Sequence, residues 1–226
     1  MRQPVRDGLA FGLAVAIVGI TFGVLARSSG LSVAKTCAMS LLVFTGASQF
    51  ALVSISAAGG SVGAALGSAL LLSARNGLYG PVVARWFRGR PLVERVAITQ
   101  IVIDESTGVG AAQADAPTDN PHDARVGFLA AGLTLYVGWN LGTLVGALAG
   151  DLVGDTSRWG LDAAFPAAYL SLLAPHLRSR PGQVAATLAA ALVVVGIPLL
   201  PTGVPVLVAA LAALPASWLR NREDLR

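Results

Sequence analysis

Lysine, cysteine and histidine are nearly missing from this chain, and long stretches of it carry no charge of either sign. One lysine (Lys35), one cysteine (Cys37) and two histidines occur among 226 residues. A single cysteine excludes an intrachain disulfide, and its place in an apolar run reads as a small buried hydrophobe. His122 falls in a polar loop and His176 at a helix end, far apart, so no metal-ligand cluster is spelled out. There is no Gly-Lys-Ser/Thr phosphate loop, which excludes ATP hydrolysis by this chain alone. Neither a Gly-x-Ser-x-Gly elbow nor a His-Glu-x-x-His helix occurs. An intramembrane enzyme would need a nucleophile–base pair, and neither Ser48 nor Cys37 has a histidine within the apolar segments. The chain reads as a non-enzyme, and no pattern in it implies a cofactor.

Charge is the deepest absence. Residues 36–74 and 181–219, thirty-nine each, contain no Asp, Glu, Lys or Arg. At helical rise each stretch is about twice what crosses a ~30 Å hydrocarbon layer. A soluble domain of this size needs charged outer helix faces. Only 12% of residues are charged against about 25% in ordinary soluble domains. Hydrophobic residues make up 54%, and mean hydropathy is +0.69. Twenty-six glycines suit close helix packing in lipid. The net charge of +4 comes from arginines scattered between apolar spans, as orienting loop charges are, so no nucleic-acid patch forms.

The pattern predicts an all-α, polytopic membrane helix bundle of about seven to eight segments, forming one integral-membrane domain over 1–226. Segments fall at 8–26, 33–57, 61–84, 93–113, 126–150, 161–175, 181–198 and 204–219. The first resembles a signal sequence after Arg2 and Arg6. At ~28 Å it is long enough to span, and Leu25-Ala26-Arg27 is no cleavage site. The positive-inside rule places the Arg85–Arg95 cluster, the Arg178/Arg180 loop and the Arg220/Arg222 tail in the cytoplasm, and the Asp151/Asp155 loop outside. These placements agree if 93–113 does not fully cross, giving seven crossings with the amino terminus outside. Arg2 and Arg6 argue the other way.

At an offset of 119 residues, Gly19 falls on Gly138, Gly23 on Gly142, Leu25 on Leu144 and Phe50 on Tyr169. Gly46-Ala47-Ser48 then falls on Phe165-Pro166-Ala167, superposing two places where a helix would be interrupted. Half-repeats of about 8–88 and 126–200 follow, inverted under seven crossings as in many secondary transporters.

Polar residues inside the apolar spans are the candidates for function. Gly46, Ala47, Ser48 and Gln49 form a mid-span run that can unwind and turn backbone groups toward a ligand. The alternative is close packing, with Gln49 bonding a neighbouring helix. Pro166, after Phe165, frees the carbonyl near Asp162, or simply kinks a helix. Arg75 and Asn76 either face the bundle, with Arg75 as a carboxylate partner, or Arg75 snorkels to the headgroups. Asp104 and Glu105 cost about 2.5–3.5 kcal/mol each at a helix centre, so they must meet a cavity, a partner or water. They are candidates for proton coupling or for an ammonium. An interfacial helix with wet acids is the plainer reading. Trp139 and Asn140 set an aromatic and an amide mid-span, with Gly142 and Gly146 as a packing face.

Several of these elements combine. Leu42-Val43-Phe44-Thr45-Gly46-Ala47-Ser48-Gln49-Phe50, the stretch 75–79, Asp104-Glu105, Tyr136-Val137-Gly138-Trp139-Asn140-Leu141-Gly142-Thr143, Gly160-Leu161-Asp162-Ala163-Ala164-Phe165-Pro166 and Leu199-Leu200-Pro201-Thr202-Gly203 resemble the AzlC family in order and spacing. The resemblance covers roughly 8–215. It implies a multi-pass permease of the bacterial plasma (inner) membrane, the large subunit of a branched-chain amino-acid exporter working with a small AzlD-type membrane subunit. It also implies secondary transport, coupled to protons and not to ATP. The chain departs from the family at Ser73, Asn76 and Gly77, where an Asn, a His and a larger apolar residue are usual.

A mechanism follows as expectation. The apolar side chain would fit beside Gly46, Ala47 and Phe165. The carboxylate would meet Ser48 and Gln49 or Arg75, and the ammonium Asp104 or the carbonyls freed by Pro166. Coupling would run through protonation of Asp104, with Glu105 beside it. Rival readings are a membrane assembly subunit without a transport path and an exporter of another small zwitterion.

Overall fold

A computed structural model describes residues 2–114, 121–153, 170, 173–174 and 176–215, with side chains described outside 2–11, 151–153 and 176. All regular structure among the described residues is helical. The helices are α1 (Arg2–Ser28), α2 (Val33–Leu42), α3 (Ala47–Ala57), α4 (Val62–Trp86), α5 (Leu92–Ala97), α6 (Asp104–Ala114), α7 (Pro121–Val153), α8 (Arg180–Gly196) and α9 (Val204–Ala209). A 3-10 turn, Ile98–Ile101, continues α5 toward α6. Serine hydroxyls start three of them: Ser32 accepts from the Lys35 N–H, Ser61 from Ala64 and Ser179 from Gly182. Each satisfies a first-turn amide that the helix itself cannot.

Glycine sets the tightest packing. A Cβ on Gly138 would stand 3.0 Å from the Gly12 carbonyl oxygen, and one on Gly142 or Gly146 would collide with the Ala16 or Ile20 carbonyl oxygen. From the other side, a Cβ on Gly19 would lie 2.7 Å from the Trp139 carbonyl oxygen, and one on Gly23 would strike that of Thr143. The α1 and α7 backbones therefore touch directly, as small-residue faces allow. Partners advance together along both helices, from 12 with 138 to 20 with 146, so α1 and α7 run parallel. Helices related by an inverted repeat would be antiparallel. The offset that equates these two helices therefore does not describe an inverted pair, which corrects that expectation.

Contacts fix the remaining directions. The end of α4 meets the start of α7, with the Trp86 and Phe87 rings 5.9 and 5.8 Å from Phe128. Higher on α4, Arg75 reaches Asp104, whose neighbour Ile103 shares a core cluster with Leu135 and Trp139. So α4 is antiparallel to α7. Going along α2, Ser40 contacts Thr143 and Leu41 contacts Tyr136, so α2 also descends α7. Then α3 packs antiparallel to α4, through Ser48 with Ser73 and Ile55 with Ala64. Hence α2 and α3 point in opposite senses and form a hairpin of half-length helices.

The same construction recurs after α4. Gly89 (φ +77) turns the chain, and α5 climbs back along α4 across a groove of about 230 Å³ lined by Gly80, Val83, Leu92, Val96 and Ile98. From Asp104, α6 descends again, with Gly110 against Trp86 and Phe128, and Val109 against Gly127. The two hairpins approach from opposite ends of α7 and their tips meet beside its middle.

Two expectations about segments are corrected here. Residues 33–57 are not one helix but two, of 10 and 11 residues. Asp104 and Glu105 do not lie mid-helix but open α6. Helices this short reach about 15–17 Å and span half a bilayer. By length and hydropathy, Pro121–Gly150 is the one helix among the described residues that could cross a membrane unaided. The described residues do not confirm seven to eight spanning segments, and the stretch 33–57 is divided. Most of 161–175 lies outside the described residues.

Candidate functional site

The first hairpin breaks where the sequence is smallest. Gly46 sits at φ +54, ψ −77, a conformation an L side chain seldom adopts. It is the N-cap of α3 but offers no side-chain cap. The first-turn amides of α3, at Ala47, Ser48 and Gln49, cannot bond within the helix. They give that tip the positive end of a helix dipole. The Trp139 ring edge lies over Gly46, with Cη2 3.5 Å from where a Cβ would stand. Phe22 stacks on Trp139 at 5.9 Å, and Phe50 meets it edge-on at 6.1 Å.

Ser48 is 1% exposed, and its Oγ lies 2.7 Å from Ser73 Oγ on α4. Ser73 donates its one hydroxyl hydrogen to the Ala69 carbonyl at 2.9 Å. Ser48 must therefore be the donor between the two, which leaves its own oxygen open as an acceptor. Gln49, fully buried, donates from Nε2 to the Met39 carbonyl of α2 at 3.2 Å. Its Oε1 has no hydrogen-bond partner among the described residues. The same holds for Thr45 Oγ1, Asn76 Oδ1, Thr107 Oγ1, Trp139 Nε1 and Asn140 Oδ1. Native cores rarely leave buried polar atoms unpaired, so this density of them marks the junction as unusual.

The second tip carries charge. Ser106, fully buried, accepts from the Ile103 N–H at 3.2 Å and donates to the Ile101 carbonyl at 2.6 Å, folding the chain from the 3-10 turn into α6. This places Asp104 and Glu105 in the first turn of a helix, where its dipole favours anions by about 0.3–1 kcal/mol. That falls short of the 2.5–3.5 kcal/mol an acid costs in hydrocarbon. Asp104 is also paired, with Arg75 Nη1 3.1 Å from its Oδ2, and both side chains are partly exposed. Arg75 thus faces the bundle and does not snorkel. Tyr79, one turn further along α4, shares the electrostatic field of Arg75, Asp104 and Glu105.

Of the residues singled out from sequence, Gly46, Ala47, Ser48, Gln49, Trp139, Arg75 and Asp104 come to the region where the hairpins meet, Glu105 and Asn76 being their chain neighbours. Asn140 donates to the Tyr136 carbonyl of its own helix at 2.8 Å and bridges no other helix through that amide. Asp162, Phe165 and Pro166 lie outside the described residues. Sequence reasoning missed Ser73 as the partner of Ser48. It missed Gln100 and Tyr136, which both reach the Leu41 carbonyl. Gln100 carried a signal, as a lone amide in an apolar stretch. Tyr136 did too, one turn before Asn140.

Comparison with known proteins agrees with the motifs. Residues 10–153 match the family described as "AzlC protein". The chain is similar to an "Uncharacterized membrane protein" of Archaeoglobus fulgidus, with 31% identity over 77% of each chain. It is also similar to the "Inner membrane protein YgaZ" of Escherichia coli, with 25% identity over 76% of this chain and 67% of that one. No solved structure matches.

Proposed function

The chain belongs to the AzlC family of membrane proteins, and on that premise we propose that it is a multi-pass permease of the plasma (inner) membrane. In this reading it exports branched-chain amino acids as the large subunit of a two-component secondary transporter. One observation carries the reading: two half-length hairpins meet mid-molecule, and both place a helix N-terminus at the meeting point. Broken helices of this kind suit a zwitterion, since amide ends attract a carboxylate and carbonyl ends a cation.

The two amide ends are unequal. That of α6 already carries its own acids, Asp104 and Glu105. That of α3 carries none, so the solute carboxylate belongs there, beside Ser48 and Trp139. Its ammonium belongs toward the acids and the last carbonyls of α2. Arg75 and Asp104 hold each other until the solute's charges compete for them, and a proton on Asp104, with Glu105 beside it, releases the pair. A small membrane subunit would complete the transporter. Export of another small zwitterion uses the same chemistry and is the second reading, favoured by Ser73, Asn76 and Gly77 near Arg75.

The test is efflux of labelled valine or leucine from preloaded vesicles, with and without a proton gradient. Asp104→Asn should abolish gradient-driven efflux while inserted protein stays at the wild-type level. Unchanged efflux removes the coupling role from Asp104, and a wild-type protein that moves no amino acid with any partner overturns the permease reading.

A further inference from the structure

None of the six residues of α5 is buried. Leu92 and Val96, on the side that meets the groove of about 230 Å³, are 71% and 59% exposed. The α4 wall of that groove is Gly80, Val83 and Ala84, and the α5 wall is Leu92, Arg95 and Val96. Spacings of three and four put each set on one helix face. Gly80 makes the room, because a Cβ there would meet nothing within 4 Å. The groove is therefore an apolar channel along the outside of the molecule, with one charged residue, Arg95, in its lining.

The end where α4 turns into α5 is basic. Arg85, Arg88, Arg90 and Arg95 are all exposed there. Arg90 has an acid, with its Nε 3.6 Å from Glu94 Oε1. Among the described residues Arg85, Arg88 and Arg95 have no carboxylate partner. Arg88 stands in the turn that joins the two walls. An occupant must therefore be apolar along most of its length and anionic at one end. A second copy docking through the same face would set arginines against arginines. A phospholipid with a net negative headgroup has both features.

We propose that the groove between α4 and α5 binds an anionic phospholipid, with Arg88 and Arg95 on its phosphate and an acyl chain laid over Gly80. Guanidinium suits phosphate because it can donate two parallel hydrogen bonds. The positive-inside rule sets these same arginines at the cytoplasmic face, where the anionic lipid is. The site needs only that the chain lies in a membrane, and so stands apart from the permease reading. A lipid there braces α5 against α4, and α5 leads through the 3-10 turn to the tip that carries Asp104.

The full chain, purified in detergent and stripped of lipid, is titrated with phosphatidylglycerol, phosphatidylcholine or inorganic phosphate. Bound lipid is read by native mass spectrometry and stability by the unfolding temperature. Phosphatidylglycerol should bind and raise that temperature, and phosphatidylcholine should bind at least about five-fold more weakly. Inorganic phosphate should do neither. Arg88→Gln with Arg95→Gln should bring the two lipids to equal affinity. Gly80→Leu fills the groove, leaves the arginines in place and should weaken both lipids. If Gly80→Leu does not insert, the arginine variant, altered only at exposed positions, decides alone. Equal binding of the two lipids by the unaltered chain overturns the site, as does a stabilisation by inorganic phosphate that matches the lipid's. Lipid binding unchanged in Gly80→Leu while the mass of a protein complex changes gives the groove to a protein neighbour and overturns it too.

Discussion

Helix α7 has two faces that behave in opposite ways. One meets α1 through Gly138, Gly142 and Gly146, backbone against backbone, with no room for a methyl group. The other carries Tyr136, Trp139 and Thr143 toward the hairpin tips, where several contacts are polar and several buried atoms lack partners among the described residues. The seam is close-packed and chemically inert. Among the described residues the junction combines an aromatic cluster around Trp139 with a few hydrogen bonds and one ion pair. The permease proposed above would need both, a frame that does not yield and an interior that does, and one helix supplies a side to each.

The comparison can be broken first at the seam. Gly146→Leu should abolish folded protein, because even a Cβ collides with the Ile20 carbonyl and no side-chain rotation relieves it. Gly19→Ala is milder, at about 1–3 kcal/mol of overpacking, visible as a lower unfolding temperature in detergent. Next comes the junction. Arg75→Asp should lower the amount of inserted protein sharply by placing three acids together, and Arg75→Asp with Asp104→Arg should restore insertion by reversing the pair. Equal insertion of the single and double variants would show that the ion pair is incidental. Ser48→Ala should cost about 1 kcal/mol, since Ser73 keeps its bond to Ala69 and only one bond is lost. The smallest effect is expected at Gly77, where a Cβ meets nothing within 4 Å. Gly77→Ala should be neutral or should stabilise α4 by up to about 1 kcal/mol.

How far the sequence could be read follows from what each feature depends on. The helical class was legible because hydropathy and charge punctuation are local. The break at Gly46 was legible only as one of two readings, since a glycine inside a helix disfavours it without deciding between unwinding and close packing. The doubling back of each hairpin was not. Reversal depends on Ser48 finding Ser73 and on Asp104 finding Arg75, pairings between residues far apart in the chain. Asp104 was misplaced because its helix boundary is made by Ser106 bonding back to Ile103, which hydropathy does not register. The offset of 119 equates Gly19 with Gly138 and Gly23 with Gly142 as repeat positions, and such a pattern gives neither the contacts between α1 and α7 nor the sense in which the two helices run.

Amide hydrogen exchange with and without leucine measures the central claim most directly. The account predicts slow exchange across 12–27 and 138–150 in both conditions, fast exchange at 43–49 and 98–105, and protection by leucine confined to those two tips. Protection that appears elsewhere, or tips as slow as the seam before leucine is added, would contradict it.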